Sequence, residues 1–247
     1  MSFFGSFFSK HKLQYSPLTW DMHDHLLFGL DDGSESLENS VLMAKKYVEL
    51  GYSHITCTPH IITDFYPNTK ETIQEKALIL QGELQKQSIP LTIDFAAEYF
   101  LDVSFIKKLK ENEPLLTFAG NHVLVETGFL NMPKNLHDTF FEIFSHGFIP
   151  VLAHPDRYVY FHSNFELAEQ VFQTGAKFQL NLLSFIGYYS AMSKKFVEWL
   201  VEKKYYHFLG TDAHSIKHLD LLPKVWNSKA FSKIDFDRVE NLKKPLF

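Results

Sequence analysis

Leu18-Thr19-Trp20-Asp21-Met22-His23-Asp24-His25, followed by Asp31-Asp32-Gly33, is the stretch from which the rest of the chain can be read. In an extended segment alternate side chains share a face, so His23 and His25 point the same way and can pinch one ion between two imidazoles. An isolated pair of this kind is more often two surface histidines, and the downstream pattern decides against that. Ile55-Thr56-Cys57-Thr58-Pro59-His60, Ile93-Asp94-Phe95-Ala96-Ala97-Glu98, Val123-Leu124-Val125-Glu126 and Ile149-Pro150-Val151-Leu152-Ala153-His154 each end on a possible ligand. Phe208-Leu209-Gly210-Thr211-Asp212-Ala213-His214 ends on two. Imidazoles and carboxylates at the C-terminal ends of successive strands are where α/β barrels keep their chemistry, because the βα loops converge on that rim.

Seven apolar strand-like runs, at about 18–23, 53–58, 91–97, 121–126, 149–153, 177–182 and 206–211, alternate with helical patterns. Ser34 is placed to cap a helix carrying Leu37, Val41, Ala44 and Val48 and ending at Gly51. Asn68 and Glu71 have capping-box spacing at the start of a helix over 69–87. A shorter helix covers 102–111, Gly147 and Gly175 end two more, and the text beyond 222 reads as terminal helices and loops. Such alternation predicts parallel strands with crossover helices, and no glycine-rich nucleotide motif points to an open nucleotide-binding sheet. The expected fold is therefore α/β, a distorted (β/α)7 barrel over 18–247 with a metal site at the C-terminal strand ends, preceded by an arm over 1–17.

Composition narrows the class. The 247 residues are 45% hydrophobic and 21% charged, the values of a globular protein. A net charge of −5, with no basic run, excludes a binder that works by neutralising nucleic-acid phosphates. The one cysteine, Cys57, has no partner for an internal disulfide, which predicts a reducing, cytoplasmic setting. No run of about 18 apolar residues exists to span a membrane as a helix. The apolar residues 1–8 are followed rather than preceded by Lys10, His11 and Lys12, the wrong order for a secretory signal. They are expected to form an arm that packs on the barrel or a partner, with at most a peripheral membrane contact.

The rim offers His23, His25, Asp32, His60, Glu98, Glu126, His154, Asp212 and His214, too many ligands for one ion. Imidazole mixed with carboxylate, without cysteine, suits Mn²⁺, Zn²⁺ or Fe better than Ca²⁺ or Mg²⁺. Glu98 has two oxygens and can bridge ions, and a hydroxide held between two ions is a ready nucleophile at neutral pH. Only two of the 24 basic residues are arginines, and one, Arg157, follows His154 by three positions, where its planar fork can grip phosphate. His54, His122 and His207 open strands at the opposite end, His137 and His146 lie on a helix pattern, and His11 and His162 sit in polar segments; none is expected to be a ligand. Ser34 and Ser184 lack a nucleophile-elbow setting and Cys57 lacks a phosphate-cradling loop.

The ordered motifs D-M-H-D-H…D-D-G, T-P-H, A-A-E, V-E-T, A-H-P-D-R-Y and T-D-A-H resemble the polymerase and histidinol phosphatase (PHP) superfamily, over about Thr19 to His214. Within it the chain is most similar to bacterial metal-dependent protein-tyrosine phosphatases of capsule and exopolysaccharide operons. The resemblance implies three divalent ions, commonly Mn²⁺, with Fe or Zn in some relatives. His23, His25, Glu98 and Asp212 would hold the first, Glu98, Glu126 and His154 the second, and Asp32, His60 and His214 the third. Arg157, Glu98 and Asp212 would carry the catalysis. Many relatives place an arginine shortly after D-x-H; here Ser215-Ile216-Lys217-His218-Leu219 has none, and Lys217 or His218 is the expected substitute in substrate binding. The implied substrate is a phosphotyrosine protein, a membrane-anchored tyrosine autokinase with a tyrosine-rich tail. The alternative is a small-molecule phosphatase, for example for histidinol phosphate, which would use every one of the same ligands. Phe129, Tyr158, Tyr160, Phe161, Phe185, Tyr188 and Tyr189 could separate the two by stacking on a phenyl ring. A metal-binding module that docks on a kinase without turnover is the non-enzymatic reading, and a nuclease would need a basic channel that the charge balance lacks.

Overall fold

The computed structural model describes residues 14–242, so the apolar stretch 1–8 of the expected arm lies outside the described residues. Among the described residues there are nine strands, seven within the expected apolar runs and two, β3 and β5, just past the second and third: β1 Trp20–Asp21, β2 His54–Cys57, β3 His60–Ile61, β4 Thr92–Phe95, β5 Glu98–Phe100, β6 His122–Glu126, β7 Ile149–Ala153, β8 Lys177–Asn181 and β9 Phe208–Gly210. The surplus of two arises because the second and third runs each break and resume, at Thr58-Pro59 and at Ala96-Ala97. Proline at 59 has no N–H to offer a ladder.

All strand pairs are parallel. They fall into two sheets, β1-β2-β4 and β3-β5-β6-β7-β8-β9, rather than one continuous ladder. The breaks in the second and third runs are where the chain passes from one sheet to the other, and backbone bonds bracket them, Thr58 N–H to Asp24 O at 2.8 Å continuing the β1–β2 pairing and Glu98 N–H to Pro59 O at 3.1 Å opening the β3–β5 pairing. At the other seam Asp212 N–H donates to His23 O at 2.9 Å and His25 N–H to Ala213 O at 3.2 Å, with a parallel bridge between Asp24 and Ala213. Distortion of the barrel is thus localised to these two places. Lower down the second seam, the buried Asn241 side chain fills the gap: it donates to Trp20 O (3.1 Å) and Leu209 O (2.7 Å) and accepts from Leu209 N–H (3.1 Å).

The helices are α1 Leu37–Glu49, α2 Lys70–Lys86, α3 Val103–Lys110, α4 Leu136–Ser145, α5 Val159–Ser163, α6 Phe165–Gln173, α7 Ala191–Lys203 and α8 Ile216–Trp226. Two caps differ from expectation. Ser36, not Ser34, caps α1 by accepting from Asn39 N–H, because Ser34 donates to Ser36 O instead. Thr69 and Thr72 form the capping box of α2, while Asn68 is drawn away to donate to Leu30 O and His60 O, both at 2.8 Å.

Strand alternation sorts the core into two parts. Trp20, Met22, Ala96, Phe118, Leu124, Val151, Ala153 and Phe208 pack together inside the barrel. Val123, Val125, Leu152, Phe178 and Leu180 join the larger outer cluster under the helices. The apolar plug fills the lower interior, and what remains open above it is lined by polar residues.

Candidate metal centre

His23, His25, Asp32, His154, Asp212 and His214 stand in loops that follow strands, Glu126 ends β6, and His60 and Glu98 open β3 and β5; the fold brings all nine together. Four overlapping groups have ligand atoms within 4.8 Å of one another: His25, Asp32, His60 and His214; His23, His154 and Asp212; His23, His25 and Glu98; His60, Glu98 and Glu126. Glu98, fully buried, sits at the centre. One of its oxygens lies 2.9 Å from His154 Nε2; the other lies 3.2 Å from His23 Nε2, 3.1 Å from His60 Nδ1 and 3.5 Å from His25 Nε2. Glu98 is shared between groups, as the motif reading has it. The grouping otherwise differs, since His25 also joins Asp32 and His214, and His60 also joins Glu98 and Glu126. His25 is held that way by its ring, stacked on His214 at 4.0 Å between centroids.

The donor set fits divalent cations on the evidence of its own unmet contacts. His154 Nδ1 and Asp212 Oδ1 are buried with no hydrogen-bond partner, and His60 Nδ1, also without a well-aligned bond, lies among carboxylate oxygens, 2.9 Å from Glu126 and 3.1 Å from Glu98. The Nε2 atoms of His23 and His25 stand 3.4 Å apart, with Asp212 Oδ1 3.5 and 3.3 Å from them. Buried polar groups are nearly always satisfied, so lone pairs that converge on common points instead of on donors describe cation sites. Electrostatics agree. Burial opposes a charged His60, yet the Glu98 carboxylate and the Glu126 contact outweigh it and raise His60 to about 10. Burial likewise opposes charge on Glu98 and Asp212, but His23 and its neighbours hold both carboxyls well below the usual range.

Two of the expected ligands sit in strained backbone. His154 has φ 34° and Asp212 φ 51°, left-handed conformations that cost a non-glycine residue roughly 1–2 kcal/mol. Each ends a strand with a sharp turn at the rim of the mouth.

Around the expected ligands lies a layer that the sequence reading missed. Asp31 accepts from His25 Nδ1 (2.8 Å) and from the backbone N–H of Gly33 and His60, which fixes the His25 tautomer and leaves Nε2 facing the centre. Gln179 Oε1 takes His23 Nδ1 at 2.8 Å and His154 N–H at 3.1 Å. Asn181 Nδ2 donates to Asp212 Oδ2 at 2.8 Å. Beneath them Asp21 and Asp24 are buried around Tyr47 and Thr211, and burial beside Asp21 raises Asp24 to about 8. The available signal was parity: Lys177, Gln179 and Asn181 alternate with Phe178 and Leu180, which marks a polar inner face.

Arg157 reaches the same mouth. Its Nη1 donates to Asp212 Oδ2 at 2.6 Å, and its guanidinium carbon lies 4.6 Å from the Phe129 ring and 4.3 Å from the Tyr189 ring. Lys217 and His218 are placed differently. Lys217 is exposed and lines a cavity of about 290 Å³ beside His214 with Gly33, Ser34 and Asn39. His218 accepts from His214 N–H through Nδ1 and meets the Tyr188 hydroxyl through Nε2 at 3.0 Å. Of the aromatics expected at the mouth, Tyr158, Tyr160, Phe161 and Phe185 are core, while Phe129 and Tyr188 are 38% and 47% exposed.

Residues 19–236 match the family model described as capsular polysaccharide synthesis, CpsB/CapC. The chain is 30% identical over 197 residues to the tyrosine-protein phosphatase YwqE of Bacillus subtilis, covering 80% of this chain and 78% of that protein. It is 24% identical over 231 residues to the tyrosine-protein phosphatase CpsB of Streptococcus pneumoniae, covering 88% and 95%. A crystal structure from work on these two, described as unique metal-dependent tyrosine phosphatases, superposes with a TM-score of 0.76 at 28% identity, covering 86% of this chain and 90% of that one.

Proposed function

The chain belongs to the CpsB/CapC family of capsular polysaccharide synthesis, and from that premise we propose that it is a metal-dependent phosphatase of phosphotyrosine proteins. The observation that carries this reading is the convergence of nine imidazole and carboxylate groups in one cluster beside a clamped arginine. Divalent ions bound there would supply Lewis acidity toward phosphate oxygens and an activated water at neutral pH. We assign three ions, Mn²⁺ first among them, to His23, His25, Asp32, His60, Glu98, Glu126, His154, Asp212 and His214. Glu98 supports a bridging role because its two oxygens face different imidazoles.

The protein's own side chains do the rest. Arg157 is ordered by its two flanking rings and by Asp212, so its remaining N–H groups can hold a phosphoryl group without paying to immobilise a free side chain. Arg157 and Asn181 both occupy Asp212 Oδ2, which directs Oδ1 toward the imidazoles of His23 and His25. The physiological substrate in this reading is the tyrosine-rich tail of a membrane-anchored autokinase, met at the cytoplasmic face. The free, buried Cys57 favours that reducing location. Among the described residues no helix is long and apolar enough to cross a membrane.

Turnover of a phosphotyrosine peptide, a phosphoserine peptide and histidinol phosphate by Mn²⁺-reconstituted protein tests the reading. The phosphotyrosine peptide should be preferred, chelation should abolish its hydrolysis, and Mn²⁺ should restore it best. Preference for histidinol phosphate, or full activity in protein shown metal-free by elemental analysis, would sink it. Glu98→Ala should lose more than one metal per chain and His122→Ala none; equal metal content in Glu98→Ala and the parent refutes the bridge.

A further inference from the structure

Outward from Arg157 the mouth is bordered by aromatic rings, and they are not equivalent. Tyr189 is occupied: one face carries the Arg157 guanidinium, and its hydroxyl accepts from Asn181 Nδ2 at 3.0 Å. Tyr66 is occupied as well, stacked on His60 with 5.6 Å between centroids and 16° between planes. Two rings are anchored on one side and open on the other. Phe129, on the loop after β6, packs against Arg157 and lies 5.7 Å from the His154 ring, and its backbone carbonyl is pinned by Val159 N–H at 2.8 Å. Tyr188, on the loop after β8, stands at 88° to Tyr189 with 5.1 Å between centroids, and its hydroxyl is held by His218. Phe129 thus touches Arg157 directly, and Tyr188 touches the ring that carries its guanidinium.

We propose that Phe129 and Tyr188 receive the phenyl ring of the substrate, so that preference for aryl over alkyl phosphate esters resides in the loops after β6 and β8. This rests on the phosphatase reading above. In a phenyl phosphate the ring begins one ester oxygen from phosphorus, so it must find apolar contact immediately outside the phosphate position. A serine phosphate offers a single methylene at that distance. Phe129 touches Arg157 and Tyr188 touches Tyr189 beside it, and both keep an open surface; rings held this way stack on an incoming ring at little cost in order. Val159, 47% exposed and bonded to the Phe129 carbonyl, extends the apolar lip.

The test separates ring binding from phosphate binding in the metal-loaded enzyme. KM for phenyl phosphate is measured beside the inhibition constant of inorganic phosphate, which has no ring, for the parent, Phe129→Leu, Tyr188→Ala and Tyr188→Phe. Loss of a stacking partner should raise KM for phenyl phosphate about 5-fold in Phe129→Leu and Tyr188→Ala. The phosphate constant should move less than about twofold, and Tyr188→Phe should keep the parental KM. Thermal melting and metal content identify any variant that has lost its fold, in which case Tyr188→Leu and Phe129→Ile are read the same way. An unchanged KM, or a parallel rise in both constants, overturns the slot while leaving the phosphatase reading intact. A parent that hydrolyses neither phenyl phosphate nor a phosphotyrosine peptide overturns both.

Discussion

Asp212 shows how one side chain is divided between two tasks. Oδ2 is taken by Arg157 and Asn181, Oδ1 has no hydrogen-bond partner, and the backbone turns left-handed at that residue. Arg157→Lys keeps a charge near Oδ2 but removes the planar fork and its fit between Phe129 and Tyr189. The loss of a charge-assisted bidentate contact to the transferred group should cost about 1.5–3 kcal/mol, or roughly 10- to 150-fold in kcat/KM, with metal content unchanged. Phosphotyrosine hydrolysis at the parental rate in that variant would put the phosphate elsewhere. Asp31→Asn probes the other end of the site. It keeps the shape beside His25 Nδ1 and removes the charge, and outer-layer changes of this type typically weaken metal binding about 10- to 100-fold. Metal titration should show that loss with the fold intact; an unshifted affinity would make Asp31 a loop staple only. The nine rim groups were legible because residue type and strand end coincide in the text. Asp31, Gln179 and Asn181 were not, because a side chain that orients a ligand is chemically indistinguishable in sequence from one that caps a turn.

At the level of elements, no strand ladder joins β9 to β1 among the described residues, and the chain spans that seam with a residue from the short helical turn Glu240–Leu242. Asn241 is fully buried and makes three bonds to Trp20 and Leu209 backbone groups there. Asn241→Ala would strand two carbonyls and an N–H away from water. At about 1–3 kcal/mol for a buried unsatisfied group, partly relieved by local relaxation, the variant should lose about 2–4 kcal/mol in denaturant unfolding. A loss within about 0.5 kcal/mol would mean that water enters the seam and replaces the side chain. The sequence made the strand and helix alternation plain, since apolar runs and helix-ending glycines are local signals. It hid the link across the seam, because the contact between 241 and 20 spans nearly the whole chain and leaves no periodicity behind. The second strand of each pair, β3 and β5, was hidden for a related reason: each is only two or three residues long and is made by hydrogen-bond partners in another sheet rather than by an apolar run of its own. Caps at Ser36 and Thr69 show the same limit, since several hydroxyls and amides stood within reach of each helix start and tertiary acceptors decided among them.

For the whole molecule, the two ends of the barrel answer acid differently. The upper end is built from charged groups that a cation would organise. The lower end holds His207, just before β9, where Nδ1 accepts the Phe178 N–H at 3.2 Å and therefore has to remain unprotonated. Burial pushes His207 down to about 4, with the nearby Glu240 opposing and Lys177 adding to the fall. Because the folded value lies below the ordinary histidine value of about 6.5, the unfolded chain binds the extra proton first. The stabilisation is thus fully present above about pH 6.5, declines as pH falls, and is exhausted near the folded value of about 4. The shift sets an upper bound of about 3 kcal/mol on the contribution. His207→Asn supplies an oxygen that can accept the same N–H without titrating. Unfolding free energies measured from pH 7 to pH 4 on chelator-treated protein should therefore diverge, the parent falling faster than the variant across that window. Parallel curves would show that the Phe178 bond breaks on unfolding without any linked proton, and would return the acid sensitivity of the fold to the carboxylates at the upper end.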